Sequence, residues 1–266
     1  MAIQLESIFD DVHLSSICGS LGSFQEDEKG DTVYVKDEEC LEGLQDIMRY
    51  LRRDNPETRE IFLQLGKWNL IKTDLLPIIR TYHGDFDLVM AATKLVVFLT
   101  LPLDPSSSNL AEQERLLQRS KAAFLEGETS AVIVSLVAEP LGRLEERGTL
   151  MESDVKLVQL IVTLFRNLIC ISDCTPTAAS GNDHLTRLKD DLLKRFFDES
   201  VMEVLLLIAQ DADRSFFVED APLLLEIFCE VRSSSASTLV PLSGPQPAQV
   251  VSTALTVEAC FAEPDA

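Results

Sequence analysis

The chain has 266 residues, of which 46% are hydrophobic and only 6% aromatic, and its 44 acidic and 23 basic residues give a net charge of −21. A chain of this size can bury a core in one large or two smaller domains, and its abundant leucine with little glycine favours helices over a β-sandwich. This negative charge excludes non-specific binding of nucleic acid by the whole protein surface, so any DNA contact requires a local basic patch. The same charge favours binding to basic protein partners.

The first predicted element is a short helix within residues 1–24 that ends at Gly19-Ser20. An acidic connector over residues 25–39 follows. It contains one strand-like run, Thr32–Val35, which we expect to be the only strand in the chain.

Residues 40–79 predict three short helices with almost no loop between them. Apolar residues at i, i+3, i+7 and i+10 form the stripe of the first helix: Leu41, Leu44, Met48 and Leu51. Asp54-Asn55-Pro56-Glu57 supplies a cap and a first-turn proline, so it should end this helix and start the second. We expect Gly66 to end the second helix and Thr73-Asp74 to cap the third. Three such helices are typical of one armadillo or HEAT repeat.

Further helices are predicted over residues 86–101, 109–124, 128–146, 153–171, 183–197, 200–210 and 218–232. The helices at 86–101, with Asp85 as its cap, and at 153–171 are apolar nearly all round, so they should be buried. By contrast, Arg115, Arg119 and Lys121 are expected on the solvated side of their helix. Trp68, at a helix junction, is interpreted as a core plug between repeats.

These patterns together predict an all-α, armadillo/HEAT-like right-handed α-solenoid over residues 1–232. From Ser233 the composition changes, with four prolines and no lysine or arginine. Residues 233–266 are therefore predicted to be a disordered tail.

The block from Cys40 to Ile78 resembles the N-terminal region of the Timeless family, the large subunit of the replication fork-protection complex. The resembling residues are Cys40-Leu41-Glu42, Asp46–Arg52, Glu57-Thr58-Arg59, Gln64-Leu65-Gly66 and Asp74–Ile78. Weaker similarity extends the resemblance over about residues 14–229. It is found at Leu95–Thr100, Lys121–Phe124, Leu164–Leu168 and Asp183-His184. The family's solenoid continues well beyond this point, so the resemblance implies a short isoform with an alternative, non-family C-terminus.

The resemblance implies a non-enzymatic nuclear scaffold that stabilises replication forks and supports fork pausing and S-phase checkpoint signalling. Its implied partners are the Timeless-interacting protein, the replicative helicase and duplex DNA, the last bound weakly and through phosphates. No cofactor, membrane or small-molecule substrate is expected. Two alternatives stay open: a generic armadillo-type adaptor for basic partners, unrelated to replication, and a hydrolase that uses Cys174 or His184.

The candidate DNA contacts are Arg49, Arg52 and Arg53, on the helix face opposite the apolar stripe, together with Lys67 and Lys72. The simpler interpretation is an ordinary solvated face paired with carboxylates.

Other chemistry is weakly represented in the sequence. Cys170, Cys174 and His184 offer three metal ligands and no fourth, so no metal site is predicted. Common nucleotide-binding and hydrolase motifs are missing, so no catalytic residue is predicted. The six scattered cysteines, with no secretory signal, predict free thiols in a reducing compartment.

Overall fold

The computed structural model describes residues 12–174, 183–214 and 216–236. Helices dominate this part of the chain, and its β-structure is limited to one antiparallel hairpin. The predicted all-α class is therefore confirmed. The residues up to Leu99, with Ser107–Asn109, form a first compact unit. A second compact unit consists of Thr100–Ser106 and the residues from Leu110 onward.

The first unit opens with helix α1, residues 12–19, which ends at Gly19 as predicted. A hairpin follows, made of β1 (Gly22–Glu26) and β2 (Thr32–Lys36). The remaining elements are α2 (Cys40–Arg52), α3 (Glu60–Lys67), a π-helical turn (Ile71–Leu75), α4 (Leu76–Thr81) and α5 (Phe86–Leu99). The expectation of a single strand is wrong, because β1 pairs along β2. Four of the five β1 residues are exposed, so its sequence carries no buried alternation that would reveal a strand.

Helix α2 has the predicted apolar stripe, with Leu44, Met48 and Leu51 buried and Leu41 half-buried. Asp54 caps the next helix, because its carboxylate accepts the backbone N–H groups of Ile61 at 3.1 Å and Phe62 at 2.9 Å. Helix α3 nevertheless begins at Glu60, one turn later than the proline at position 56 suggests.

Two predictions near the end of α3 are wrong. Gly66 lies inside the last turn of α3, and the left-handed residue beyond it is Asn69, with φ of 60°. Thr73 and Asp74 lie within the π-helical turn, where the Thr73 hydroxyl donates to the Asn69 carbonyl at 3.2 Å. Trp68 is half-buried just after α3, and its interpretation as a core plug between repeats stays a prediction.

The hairpin is held on the first unit by side chains of β2. The Tyr34 hydroxyl donates to Asp74 at 2.8 Å, and the Lys36 ammonium pairs with Asp85 at 2.9 Å. Tyr82 accepts the Lys36 backbone N–H at 3.0 Å and donates to the Tyr34 carbonyl at 3.3 Å. Asp85 also caps α5 through the Leu88 N–H at 3.3 Å, as predicted. These bonds tie an otherwise marginal two-stranded element to the helices.

The second unit consists of six helices and a short 3-10 turn in the described residues. They are α6 (Leu110–Phe124), α7 (Thr129–Arg147), α8 (Glu152–Cys170), the 3-10 turn (Asp183–Thr186), α9 (Leu188–Asp198), α10 (Val201–Gln210) and α11 (Ala221–Ala236). Helix α8 is its centre: residues 160–169 are all buried, and α7, α9 and α11 pack on it. Consecutive helices contact one another from α7 to α11, as in helical-repeat proteins.

Arg115 and Arg119 are exposed on α6, as expected. The prediction that Lys121 also lies on the solvated side of α6 is wrong. Its side chain is completely buried, and the ammonium donates to the Ile171 carbonyl and to Asp173, both at 2.8 Å. Burial lowers the pKa of this amine, and the bond to Asp173 opposes that shift. Lys121 lies on the buried face because it follows Leu117 by four residues.

Candidate nucleic-acid interface

The arginine cluster, defined as Arg49, Arg52 and Arg53, lies where helix α2 ends. Arg49 and Arg52 occupy its last turn and Arg53 follows directly, and all three are exposed. They are opposite a buried stripe that fixes the rotation of the helix. The structure therefore brings these three predicted residues together on solvent-facing helix surface.

The two predicted lysines lie on other elements of the first unit. Lys67 is the last residue of α3, and Lys72 is in the π-helical turn; both are exposed. Helix α3 packs on α2, so Lys67 belongs to a neighbouring helix. The π-helical turn that contains Lys72 runs directly into α4.

The electrostatics of the arginine cluster allow two interpretations. Cations at the C-terminal end of a helix are stabilised by the helix dipole, which accounts for Arg49 and Arg52 without any ligand. Arg49 also forms an ion pair with Asp46, one turn earlier on the same helix. Its side chain stays 62% exposed, and an exposed pair contributes little to stability. The guanidinium groups remain accessible to phosphate oxygens, with which arginine forms bidentate bonds.

Arg59 is a basic residue whose geometry sequence reasoning missed. It lies just before α3 with φ of 49°, and its guanidinium is 3.9 Å from the centre of the Phe62 ring. Stacking on an aromatic face holds the charged group in place. No local sequence signal marks an arginine for a left-handed conformation, because asparagine, aspartate and glycine are the residues that favour it.

Three of the described thiols, those of Cys18, Cys40 and Cys170, are poorly suited to nucleophilic chemistry. Burial raises the pKa of Cys18 to about 12 and those of Cys40 and Cys170 to about 11. These groups are therefore protonated thiols at neutral pH, whereas a nucleophilic cysteine requires a lowered pKa. Cys170 lines a cavity of about 140 Å³ in the second unit, beside Asn167 and Leu117.

The described residues contain no group of three or more histidine, cysteine or acidic side chains placed to hold a metal ion. The side chain of His184, one of the three ligands considered from the sequence, lies outside what the structure describes. His83 has a structural role: its Nδ1 donates to the Arg80 carbonyl at 3.2 Å, near the end of α4. None of the helices in the described part of the chain combines the length and hydrophobicity needed to cross a bilayer.

Comparison with known proteins defines the family. The family model described as Timeless protein matches residues 33–258, which is most of the chain. The chain therefore belongs to the Timeless family, a family of replication fork-associated proteins, and the resemblance seen in the sequence is confirmed. The match runs past Ser233, so it includes much of the tail that the sequence places outside the family. That domain boundary stays a prediction.

Individual relatives come from animals and fungi. The protein timeless homolog of Homo sapiens is 34% identical over 167 residues, which cover 59% of this chain and 13% of the human protein. Topoisomerase 1-associated factor 1 of Aspergillus niger is 25% identical over 251 residues, 85% of this chain and 21% of the fungal protein. Mating-type switching protein swi1 of Schizosaccharomyces pombe is 25% identical over 180 residues, 60% of this chain and 18% of that protein. The chain thus spans about a fifth or less of the length of these relatives.

Proposed function

We propose that this chain is a non-enzymatic, nuclear scaffold of the replication fork-protection complex. The observation that carries the proposal is the family match over residues 33–258. In this role the helical surface positions partners relative to one another, so that forks are stabilised, pause where required and signal to the S-phase checkpoint. The partners proposed are the Timeless-interacting protein, the replicative helicase and duplex DNA.

The proposed DNA contacts are the arginine cluster, Lys67 and Lys72. Their exposure supports phosphate contact, and nothing in their spacing along the sequence suggests that they read base edges. Binding should be weak for this chain, since the net charge of −21 repels DNA at long range. Partners then supply most of the affinity for the fork.

Affinity purification tests the scaffold role. The 266-residue chain is captured from nuclei of S-phase cells and, as a matched control, from nuclei of cells in G1. We expect the Timeless-interacting protein and helicase subunits to copurify from the S-phase nuclei in excess over the control. Recovery of neither partner from S-phase nuclei contradicts the proposal for this chain.

A generic adaptor for basic protein partners is the second candidate, and the strong negative charge favours it. An adaptor of this kind binds basic peptides irrespective of the cell cycle. It predicts equal recovery of basic proteins from both preparations, and a diffuse distribution in the cell. The replication role instead predicts nuclear foci that are confined to S phase.

A further inference from the structure

The backbone of strand β1 is hydrogen-bonded to β2 on one side only. At the base of the hairpin the Asp37 N–H donates to the Leu21 carbonyl at 3.1 Å, and this bond sets the alternation of the ladder. In an antiparallel pair every second residue bonds to the partner strand, and the residues between point their N–H and C=O groups outward. The outward-pointing residues of β1, which we call the β1 edge, are Gly22, Phe24 and Glu26.

The opposite edge of the hairpin is covered, whereas the β1 edge is open. On β2 the Tyr82 hydroxyl accepts the Lys36 N–H at 3.0 Å and donates to the Tyr34 carbonyl at 3.3 Å. Within the described residues, the backbone groups of Phe24 and Glu26 have no comparable partner, and both side chains are exposed. An unpaired strand edge of this kind is a template on which a further strand can form.

Strand β1 also lacks the features by which proteins usually protect an edge. Lysine, proline and β-bulges all discourage the addition of a further strand. Strand β1 contains neither lysine nor proline, and its register with β2 runs without a bulge. Since β2 is fixed to the helices through Tyr34 and Lys36, the β1 edge is held in place and can accept an extended peptide as an added strand.

The charge around the β1 edge indicates which kind of partner fits it. Residues 22–39 contain seven acidic residues and two basic ones. One of the two basic residues, Lys36, is paired with Asp85. The exposed acidic residues are Glu26, Glu28 and Asp31 towards the turn and Asp37, Glu38 and Glu39 at the base. A basic segment complements this charge, whereas a second copy of the chain is repelled by the net charge of −21 that both copies carry.

We propose that the β1 edge binds an extended, basic segment of a partner protein, which adds a third strand antiparallel to β1. A residue placed opposite Phe24 contacts its ring, which is 53% exposed, so valine or another β-branched residue suits that position. A lysine or arginine two residues away lies on the same face, opposite Glu26. The inference concerns how a partner is held, and it stands independently of the replication role proposed above.

Amide hydrogen exchange of the intact chain, followed by NMR, tests the added strand directly. The probe is the end-blocked peptide Lys-Thr-Lys-Thr-Val-Thr-Lys-Thr-Lys, in which valine and lysine share one face of the strand. We expect it to slow exchange of the Phe24 and Glu26 amides roughly tenfold or more, because these N–H groups gain acceptors. The Gln25 amide already faces β2 and should slow much less.

Matched peptides separate backbone pairing from charge. N-methylation of the valine and of the two nearest lysines removes the N–H donors that face β1 and should abolish the protection. N-methylation of the two threonines beside the valine removes N–H groups that face away from β1, so the protection should remain. Replacing every lysine with glutamate should abolish it through repulsion by the acidic hairpin.

Two variants of the chain test the same contact from the other side. Phe24→Pro and Phe24→Ala both remove the ring, but only proline removes an outward-facing N–H. Calorimetric titration should show peptide affinity roughly tenfold or more lower for Phe24→Pro than for Phe24→Ala. If Phe24→Pro does not fold, the methylated peptides decide the question with the parent chain.

Four results would overturn the proposal. Equal protection by the two methylated peptides would show that charge alone holds the probe, and equal protection by the glutamate peptide would remove the basis for a basic partner. Slow exchange of the Phe24 and Glu26 amides in the free monomer would show that the chain itself covers the edge. Protection that appears without peptide and rises with protein concentration would show that a second copy covers it.

Discussion

Asp220 is a buried carboxylate directly before helix α11. The residue is fully buried, and among the described residues neither carboxylate oxygen has a hydrogen-bond partner. Burial, with a smaller contribution from the charge of Glu219, raises the pKa of Asp220 to about 7. An ionised carboxylate here therefore opposes folding.

We expect Asp220→Asn to stabilise the protein in a pH-dependent way. An unfolded aspartate has a pKa of about 3.9, so below pH ~4 residue 220 is protonated in both states of the parent. Between pH ~4 and about 7 only the folded state retains its proton, and the stability of the parent falls as pH rises. At pH 8 the variant should be more stable by roughly 2–4 kcal/mol, with little difference near pH 4.

Urea unfolding at several pH values measures this difference. The exposed Asp213 provides a matched control: Asp213→Asn should track the parent at every pH. A difference between Asp220→Asn and the parent that stays constant from pH 4 to 8 would show that ionisation of Asp220 is not the cause.

Lys121 is the second residue whose burial leads to a prediction. Lys121→Met keeps the apolar stem but leaves Asp173 without its cation, and breaking a buried pair in this way costs roughly 3 kcal/mol. Asp173 retains the Lys189 backbone N–H at 3.0 Å, which limits the loss. The exposed Arg119, on the same helix, is the control: Arg119→Ala should change the free energy of unfolding by less than about 0.5 kcal/mol. Equal unfolding midpoints for the two variants would contradict the assigned role of Lys121.

At the level of elements, helix α2 separates a buried face from a solvated one. Leu51 is 6% exposed, and Arg52, the next residue, is exposed. Leu51→Asp places a charge in the core of the first unit and should destabilise it by about 3 kcal/mol or more. Arg52→Ala should stay within about 0.5 kcal/mol of the parent. Thermal unfolding followed by circular dichroism compares them, and a parental melting temperature for Leu51→Asp would show that the helix face is wrongly assigned.

Helical periodicity and local capping explain which elements could be predicted. The stripe of α2, the caps at Asp54 and Asp85 and the burial of α8 all depend on residues close in sequence. The β1 strand could not be predicted this way, because its pairing and the anchoring of the hairpin depend on distant partners such as Asp74. The π-helical turn has no composition signature.

The same limit applies to the candidate site. Spacing along α2 placed the arginine cluster on one exposed face, as the structure has it. It could not place Arg59 over the Phe62 ring, since that contact follows from a left-handed backbone conformation. The burial of Lys121 could have been predicted from periodicity, because Leu117, Lys121 and Phe124 lie on one buried face of the helix. The prediction was wrong because it was based on the charge of Lys121.

At the level of the whole molecule, net charge and local charge act in opposite directions on DNA binding. The net charge of −21 repels a duplex beyond the nearest groups, over roughly the 10 Å Debye length at 0.1 M salt. The arginine cluster attracts phosphates only at contact. Duplex binding should therefore be detectable for the isolated chain at low salt and lost towards physiological salt.

A triple variant tests whether the arginine cluster carries this binding. Each phosphate contact contributes about −0.9 to the slope of log K against log salt concentration. Engagement of the three arginines alone corresponds to a slope of about −2.7, and engagement of the two lysines as well to about −4.5. Replacing Arg49, Arg52 and Arg53 with glutamate should abolish binding to a duplex of any sequence. The chain should stay folded because all three side chains are exposed, with only a small decrease in melting temperature from the reversed charge at the helix end.

The control for that variant must change net charge equally at another place. Glutamate at Arg115, Arg119 and Lys194, which are exposed on α6 and α9, meets this condition. If only the arginine-cluster variant loses binding, the effect is local contact, since both variants increase the long-range repulsion alike. If both lose it equally, net charge alone governs the interaction. If the arginine-cluster variant binds duplex DNA as well as the parent does, the cluster is an ordinary solvated helix end, stabilised by the helix dipole and by Asp46.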